Sequence, residues 1–181
     1  MKGKLIIVSG PSGSGKSTVT KIVKERLNIP LSISATTRKP RDGEIEGKDY
    51  YFLTEEEFKK RIEKDEFYEY ANVHGNYYGT LKETVEKNIE KGLNVILEID
   101  VQGALIAKEK KKDAVLVFIR TENMEILEER LRNRKTDSEE VIRKRLENAL
   151  LELEYENRYN YTIVNRNVED SVEELIDIIN G

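Results

Sequence analysis

Apolar positions along the chain follow two rhythms. Unbroken branched runs such as Leu5-Ile6-Ile7-Val8 and Val95-Ile96-Leu97 have the length of strands buried on both faces. They and similar runs predict strands over 4–8, 31–34, 94–99, 114–119 and 161–164. Between the runs, apolar residues recur at helical spacing. Val19, Ile22, Val23 and Leu27 mark one stripe, and Val172, Leu175, Ile176 and Ile179 mark the last. Ser171 and Glu174 predict a capping box at the start of that last helix. Strands alternating with helices predict an α/β fold of three layers around a parallel five-stranded sheet.

Two segments break the alternation. Residues 34–80 carry Pro40, Gly43, Gly47, Gly75 and Gly79, with a short helix near 54–64 opened by Thr54. They predict a small mixed α/β lobe of short strands and turns. Residues 121–157 are helical and Arg-rich, with one stripe at Met124, Leu127 and Leu131 and another at Ile142, Leu146, Ala149, Leu150 and Leu153. Two helices joined near 135–137 make a hairpin suited to a lid. The chain therefore divides as a single domain, with a core of 1–33, 81–120 and 158–181 carrying two insertions.

Charged residues make up 36% of the 181 and nearly cancel, to a net −4, so no basic field points to nucleic acid. The run Lys110-Lys111-Lys112 suits the end of a helix as a solvated terminus. There is no cysteine, and His74 is the single histidine. A zinc site is not expected, and a Ser-His-Asp hydrolase would have to rest on His74 alone. The longest apolar run is far short of a membrane span. Met1-Lys2-Gly3-Lys4 runs straight into a strand, and a cytoplasmic location is expected.

Residues 10–17 read Gly-Pro-Ser-Gly-Ser-Gly-Lys-Ser, a complete phosphate-loop pattern set between a strand and a helix. Gly10, Gly13 and Gly15 let backbone N–H groups converge on a phosphate chain at a helix N-terminus, with Pro11, Ser12 and Ser14 between them. Lys16 can reach the β- and γ-phosphates and the Ser17 hydroxyl can ligate Mg²⁺. These residues predict nucleoside triphosphate binding.

A second group lies further on. Arg38 and Arg41 flank Pro40, which stiffens the turn, and two forked guanidiniums there suit a second phosphate. Tyr50 and Tyr78 can add hydroxyl donors. In residues 67–73, period two places Glu69 on one face with Phe67, Ala71 and Val73. A carboxylate on an apolar face needs partners. Either an arginine or a ligand with two adjacent N–H donors would serve.

Several blocks together resemble the guanylate kinase family over nearly the whole chain. They are the loop 10–17, Ser34-x-Thr36-Thr37-Arg38-x-Pro40-Arg41-x-Gly43-Glu44 leading to Tyr50, Glu69 with Gly75-Asn76-Tyr77-Tyr78-Gly79-Thr80, and Glu98-Ile99-Asp100-Val101-Gln102-Gly103-Ala104. The resemblance implies a phosphate-loop kinase fold and the reaction ATP + GMP giving ADP + GDP, in purine nucleotide metabolism and GMP recycling. It implies that Arg38, Arg41, Tyr50 and Tyr78 hold the GMP phosphate, with Ser34, Glu69, Thr80 and Asp100 around the guanine. It also implies Mg²⁺ as cofactor, dGMP as a further possible acceptor, and Asn165 near the adenine of ATP. Glu98 stands where many relatives carry Asp, and Val101 where many carry a bulkier residue.

The chemistry fits. Guanine presents N1–H beside a 2-amino group, a donor pair that matches one carboxylate, whereas adenine has an acceptor at N1. A GMP phosphate is already an ionised nucleophile, so catalysis reduces to alignment and charge neutralisation. Arg130 and Arg134 lie one turn apart on one helical face, and Arg145 comes from the second lid helix. The resemblance sets these three, with Lys16 and Arg38, around the transferring phosphoryl group. Arg132 and Arg143 face elsewhere, toward solvent or glutamates. Three alternatives stand beside this reading: a kinase for another nucleotide or a phosphorylated sugar, an inactive guanylate-kinase-like phosphopeptide module, and a phosphate-loop GTPase. The intact loop argues against the second, and no N-K-x-D segment supports the third. Oligomeric state is left open.

Overall fold

The computed structural model describes residues 2–30, 32–135 and 137–181. Strands β1 (Leu5–Ser9), β6 (Val95–Glu98), β7 (Val115–Arg120) and β8 (Tyr161–Val164) form a parallel sheet in the order β6-β1-β7-β8. β1 is buried on both faces throughout its length. Ile6 and Val8 point into a cluster with Val19 and Val23 of helix α1 (Lys16–Arg26) and Val172, Leu175 and Ile179 of α7 (Val168–Asn180). Leu5 and Ile7 point the other way, toward Val85 and Ile89 of α3 (Lys82–Glu90) and Ala104 and Ala107 of α4 (Val101–Lys110). The result is helix, sheet, helix, the arrangement that unbroken apolar runs demand.

The main sheet has four strands among the described residues, not the five expected. Residues 32–34 form no strand, and Leu31 lies outside the described residues. Ser32-Ile33-Ser34 offers a single apolar side chain to a sheet face, and the Ser34 carbonyl accepts instead from Tyr51 N of the small lobe, at 2.9 Å.

That lobe holds its own mixed sheet, ordered β3-β2-β5-β4 from β2 (Ala35–Thr36), β3 (Tyr51–Phe52), β4 (Phe67–Val73) and β5 (Asn76–Leu81). Helix α2 (Glu55–Glu63) starts at Thr54, whose side chain forms a capping box with Glu57 as the sequence predicts. Its buried Phe58 stacks on Phe67 at 4.3 Å and on Tyr77 at 5.2 Å. The same cluster takes in Ala35 and Leu81, closing one face of the lobe sheet.

β4 departs from simple alternation. Its register slips between Phe67 and Glu69, a β-bulge. Phe67 therefore joins the lobe cluster, Tyr68 joins the main core, and Glu69 emerges on the opposite, polar face. The expected grouping of Glu69 with Phe67 is corrected by that one extra residue.

Helices α5 (Met124–Asn133) and α6 (Glu139–Leu153) make the hairpin, joined through Leu127, Leu131, Ile142 and Ala149. The cap of α7 is Asn167, whose side chain accepts from Asp170 N, rather than Ser171. Ser171 is buried inside the helix and donates to Asn165 Oδ1 at 3.0 Å. The lysine run is likewise more than a solvated end. Lys110 Nζ donates to Asp65 and to the Phe67 carbonyl, and Lys111 to Glu86. No helix among the described residues is long and apolar enough to cross a membrane.

Candidate active site

The phosphate loop expected from the sequence lies at the C-terminal ends of the parallel strands, where open α/β sheets bind ligands. β1 runs into the loop Gly10–Ser17, β6 ends at Glu98, and Asn165 follows β8. Gly10 sits at φ +143°, and a Cβ there would stand 1.9 Å from the Ile119 carbonyl oxygen, so this turn is open to glycine alone. Helix α1 begins with no side-chain cap and no acid in its first turn. Its first amides are thus free to meet an anion.

Lys16 and Ser17 open that helix. Burial pushes the Lys16 ammonium pKa down, Glu98 and Glu152 push it back up, and Arg134 pushes it down again. Glu98 accepts hydrogen bonds from the Ser17 hydroxyl and, at 2.8 Å, from Thr20 Oγ1. The longer acid thus spans two hydroxyls of α1. A hydroxyl beside a carboxylate is a hard oxygen donor set of the kind magnesium takes. No cluster of three or more His, Asp or Glu forms among the described residues, so such an ion would complete its shell with phosphate oxygens and water.

The helical hairpin sits directly on this loop. Leu127 and Leu131 pack over Gly13, where an added Cβ would come within 3.2 Å of both. Arg130 donates to the Ser14 carbonyl at 3.3 Å and the Asn165 carbonyl at 2.9 Å. Arg145 donates to Ser12 Oγ at 2.5 Å and pairs with Asp137 at 3.2 Å. Arg134, at the end of α5, is exposed, near enough for its charge to act on Lys16. Arg132 pairs with Glu128 and Glu139, and Arg143 lies 3.9 Å from Glu147, both away from the loop.

Asn165, expected near the adenine of ATP, braces the loop in this structure. It is 2% exposed, its amide donates to the Ser14 carbonyl at 2.7 Å and its oxygen accepts from Ser171. One end of the amide thus ties to the loop and the other to α7.

The polar face of the lobe sheet carries the second group. Glu69 pairs with Thr80 and Ala35 with Gly79, which sets Ser34, Thr80 and Glu69 in one row. Glu69 Oε1 accepts from the Thr80 hydroxyl at 2.7 Å, and no arginine or lysine pairs with it among the described residues. Burial raises its pKa, the Thr80 bond opposes that rise, and neighbouring Asp100 adds to it. Asp100 caps α4 by accepting from Gly103 N at 2.6 Å. The Glu69 carboxylate lies against that first turn, with Oε2 3.4 Å from where a Gly103 Cβ would be.

Two positions from Thr80 on the same face stands Tyr78, its ring 6.1 Å from Tyr50. The Arg38 guanidinium lies 5.4 Å from the Tyr50 ring and pairs with Glu44 at 2.8 Å. Glu44, then a hydrogen bond with Tyr78, hold its pKa above the usual arginine value. Glu44 also accepts from Arg41 N at 2.7 Å, so one carboxylate fixes the turn that carries both arginines. The Arg41 side chain is exposed at the tip.

A family profile described as Guanylate kinase matches residues 2–181. The chain belongs to the guanylate kinase family. It is 60% identical over 177 residues to a guanylate kinase of Fusobacterium nucleatum, covering 98% of this chain and 96% of that one. It is 47% identical to a guanylate kinase of Thermotoga maritima, covering 99% and 87%. A crystal structure of guanylate kinase from Anaplasma phagocytophilum matches with a TM-score of 0.72 at 36% identity, over 99% of this chain and 85% of that one. The protein TT1252 of Thermus thermophilus, at 17% identity and a TM-score of 0.54, is alike in fold.

The guanylate kinase framework thus contains three local groupings: the loop with Arg130 and Arg145, the Arg38–Tyr50–Tyr78 corner, and Glu69–Thr80 beside Asp100. Sequence reasoning assigned no role to Glu44 beyond its place in the block 34–44, and did not single out Glu152. Glu44, three residues past Arg41, had a local signal, since an acid at that spacing can close a turn. Glu152 had none, because its proximity to Lys16 comes from the packing of α6.

Proposed function

We propose that this guanylate kinase aligns its two nucleotides between the loop 10–17 and the small lobe, with the core 1–33, 81–120 and 158–181 as platform. The reaction moves the γ-phosphoryl group of ATP to GMP, giving ADP and GDP. Gly10, Pro11, Ser12, Gly13, Ser14, Gly15, Lys16 and Ser17 cradle the ATP phosphates. Arg38, Arg41, Tyr50 and Tyr78 hold the GMP phosphate, while Ser34, Glu69, Thr80 and Asp100 surround the base. The lobe 34–80 is then the acceptor site, and 121–157 the lid whose Arg130, Arg134 and Arg145 neutralise charge on the transferring group.

Ser17, with Glu98 behind it, would hold Mg²⁺, which would supply charge neutralisation on the phosphates. The protein's own part is positioning. The acceptor oxygen is already ionised, so no residue need act as a strong base. Base-edge recognition of this kind does not discriminate against dGMP.

The observation that carries this reading is the half-buried Glu69 carboxylate, bonded to a hydroxyl rather than to a cation. A carboxylate with acceptor capacity to spare matches the N1–H and 2-amino pair of guanine and repels the N1 acceptor of adenine. The test is ADP release with GMP, AMP, CMP and UMP, for the native chain and Lys16→Ala. GMP should be strongly preferred, and Lys16→Ala should lower kcat at least about 10²-fold while the chain stays folded. Comparable turnover with AMP, or near-normal turnover in Lys16→Ala, would sink the assignment.

A further inference from the structure

The bulge at the start of β4 decides where Glu69 points. Phe67 faces Leu81 and Glu69 faces Thr80, so two steps on β4 match one on β5. Strict alternation would send Glu69 to the side of Phe67, among Phe58 and Leu81, where a carboxylate could reach no base. A bulge disrupts the ladder and leaves backbone groups in need of partners. Here the Phe67 carbonyl is met by a side chain from another element. Lys110 Nζ donates to it at 2.7 Å and to Asp65 Oδ1, also at 2.7 Å. Asp65 Oδ2 in turn accepts from Lys82 at 2.5 Å.

Lys110 is the last residue of α4, whose first turn presents Gly103 to the Glu69 carboxylate. One rigid helix therefore touches the bulged strand at both ends. Its N-terminal turn meets the functional side chain, and its C-terminal lysine holds the carbonyl two residues upstream.

We propose that Lys110 is a positioning residue for guanine selection, pinning the Phe67–Glu69 bulge so that the Glu69 carboxylate stays beside Thr80 and Asp100. This rests on the reading of Glu69 as the acceptor for the base. Lys110 acts chiefly through the Phe67 carbonyl, its charge adding a weaker direct pull on the Glu69 carboxylate.

The experiment measures kcat, KM for GMP, KM for ATP and thermal melting in Lys110→Met, Lys110→Gln, Lys110→Arg, Asp65→Asn and Glu69→Gln. Losing a charge-assisted bond to the carbonyl should raise KM for GMP about five- to tenfold in Lys110→Met, with KM for ATP and kcat within about twofold of native. Lys110→Arg should recover most of the loss, and Lys110→Gln, which keeps an amide donor, should fall between. Asp65→Asn should lower the melting temperature yet leave KM for GMP nearly native, since the Lys110–Phe67 bond survives it. A Lys110→Met enzyme that melts earlier but keeps its KM for GMP overturns the proposal, as does one that loses both substrates equally. If Lys110→Met does not fold, the Gln and Arg variants carry the same comparison. Should Glu69→Gln leave GMP kinetics unchanged, the base reading falls first; if only Glu69→Gln matters, the positioning role falls alone.

Discussion

Gly103→Ala separates the proposed guanine pocket from the stability of the fold. Gly103 is the third residue of α4 and has ordinary helical backbone, so alanine there favours the helix by about 1 kcal/mol. Space is the opposing effect. The new Cβ would stand 3.1 Å from Asp100 Oδ1 and 3.4 Å from both Cγ and Oε2 of Glu69. The first contact is a few tenths of an ångström too close, so the Asp100 carboxylate retreats and its cap bond to Gly103 N, now 2.6 Å, loses part of about 1 kcal/mol. These effects nearly cancel, and the melting temperature should move by less than about 4 °C. Substrate geometry has no such compensation. A misplacement of about 1 Å can cost about 10²-fold, so a few tenths of an ångström at Asp100 and Glu69 should raise KM for GMP about three- to tenfold. Steady-state kinetics with each substrate varied in turn, alongside thermal melting, give the answer. Native KM for GMP in a folded Gly103→Ala enzyme would refute the pocket, and equal damage to both substrates would refute its locality.

Two pH experiments follow from the carboxylates. Burial, reinforced by Asp100, raises the folded-state pKa of Glu69 above its ordinary 4.5, so the folded chain binds that proton more readily than the unfolded one. Its charge therefore costs stability as pH rises from 4.5 through the raised value, and Glu69→Gln should melt higher than native at neutral pH, with the gap closing toward pH 4.5. A gap that ignores pH would contradict this. Asp65 is the opposite case, since Lys110 and then Lys82 hold it down to about 2. Its contribution is complete above the ordinary 3.8 and is lost as pH falls through about 2, so the melting difference between native and Asp65→Asn should shrink across that window. A difference that grows on acidification would rule the pairing out.

What the sequence made legible was local. The phosphate loop keeps its chemistry within one short stretch, and apolar runs such as Leu5–Val8 announce burial on both faces without help from distant residues. What stayed hidden depended on a one-residue slip or on long-range partners. Period two cannot reveal the bulge that takes Phe67 and Glu69 to opposite faces. Asn167-x-x-Asp170 and Ser171-x-x-Glu174 are competing start signals for α7, and burial decides between them because Ser171 is needed under Asn165. Lys110 looked like a solvated end because its partners, Asp65 and Phe67, lie 45 and 43 residues away.

The proposed reading of guanine's donor edge by Glu69 is tested most directly by pairing a change in the enzyme with a change in the base. IMP keeps the N1–H of GMP but lacks the 2-amino group. Measuring kcat/KM for GMP and IMP, in native and Glu69→Gln enzymes, closes a cycle that isolates the carboxylate–amine pair. A strong native preference for GMP should collapse in Glu69→Gln, mainly through loss of the GMP rate. An unchanged GMP-to-IMP ratio in the variant would contradict that reading.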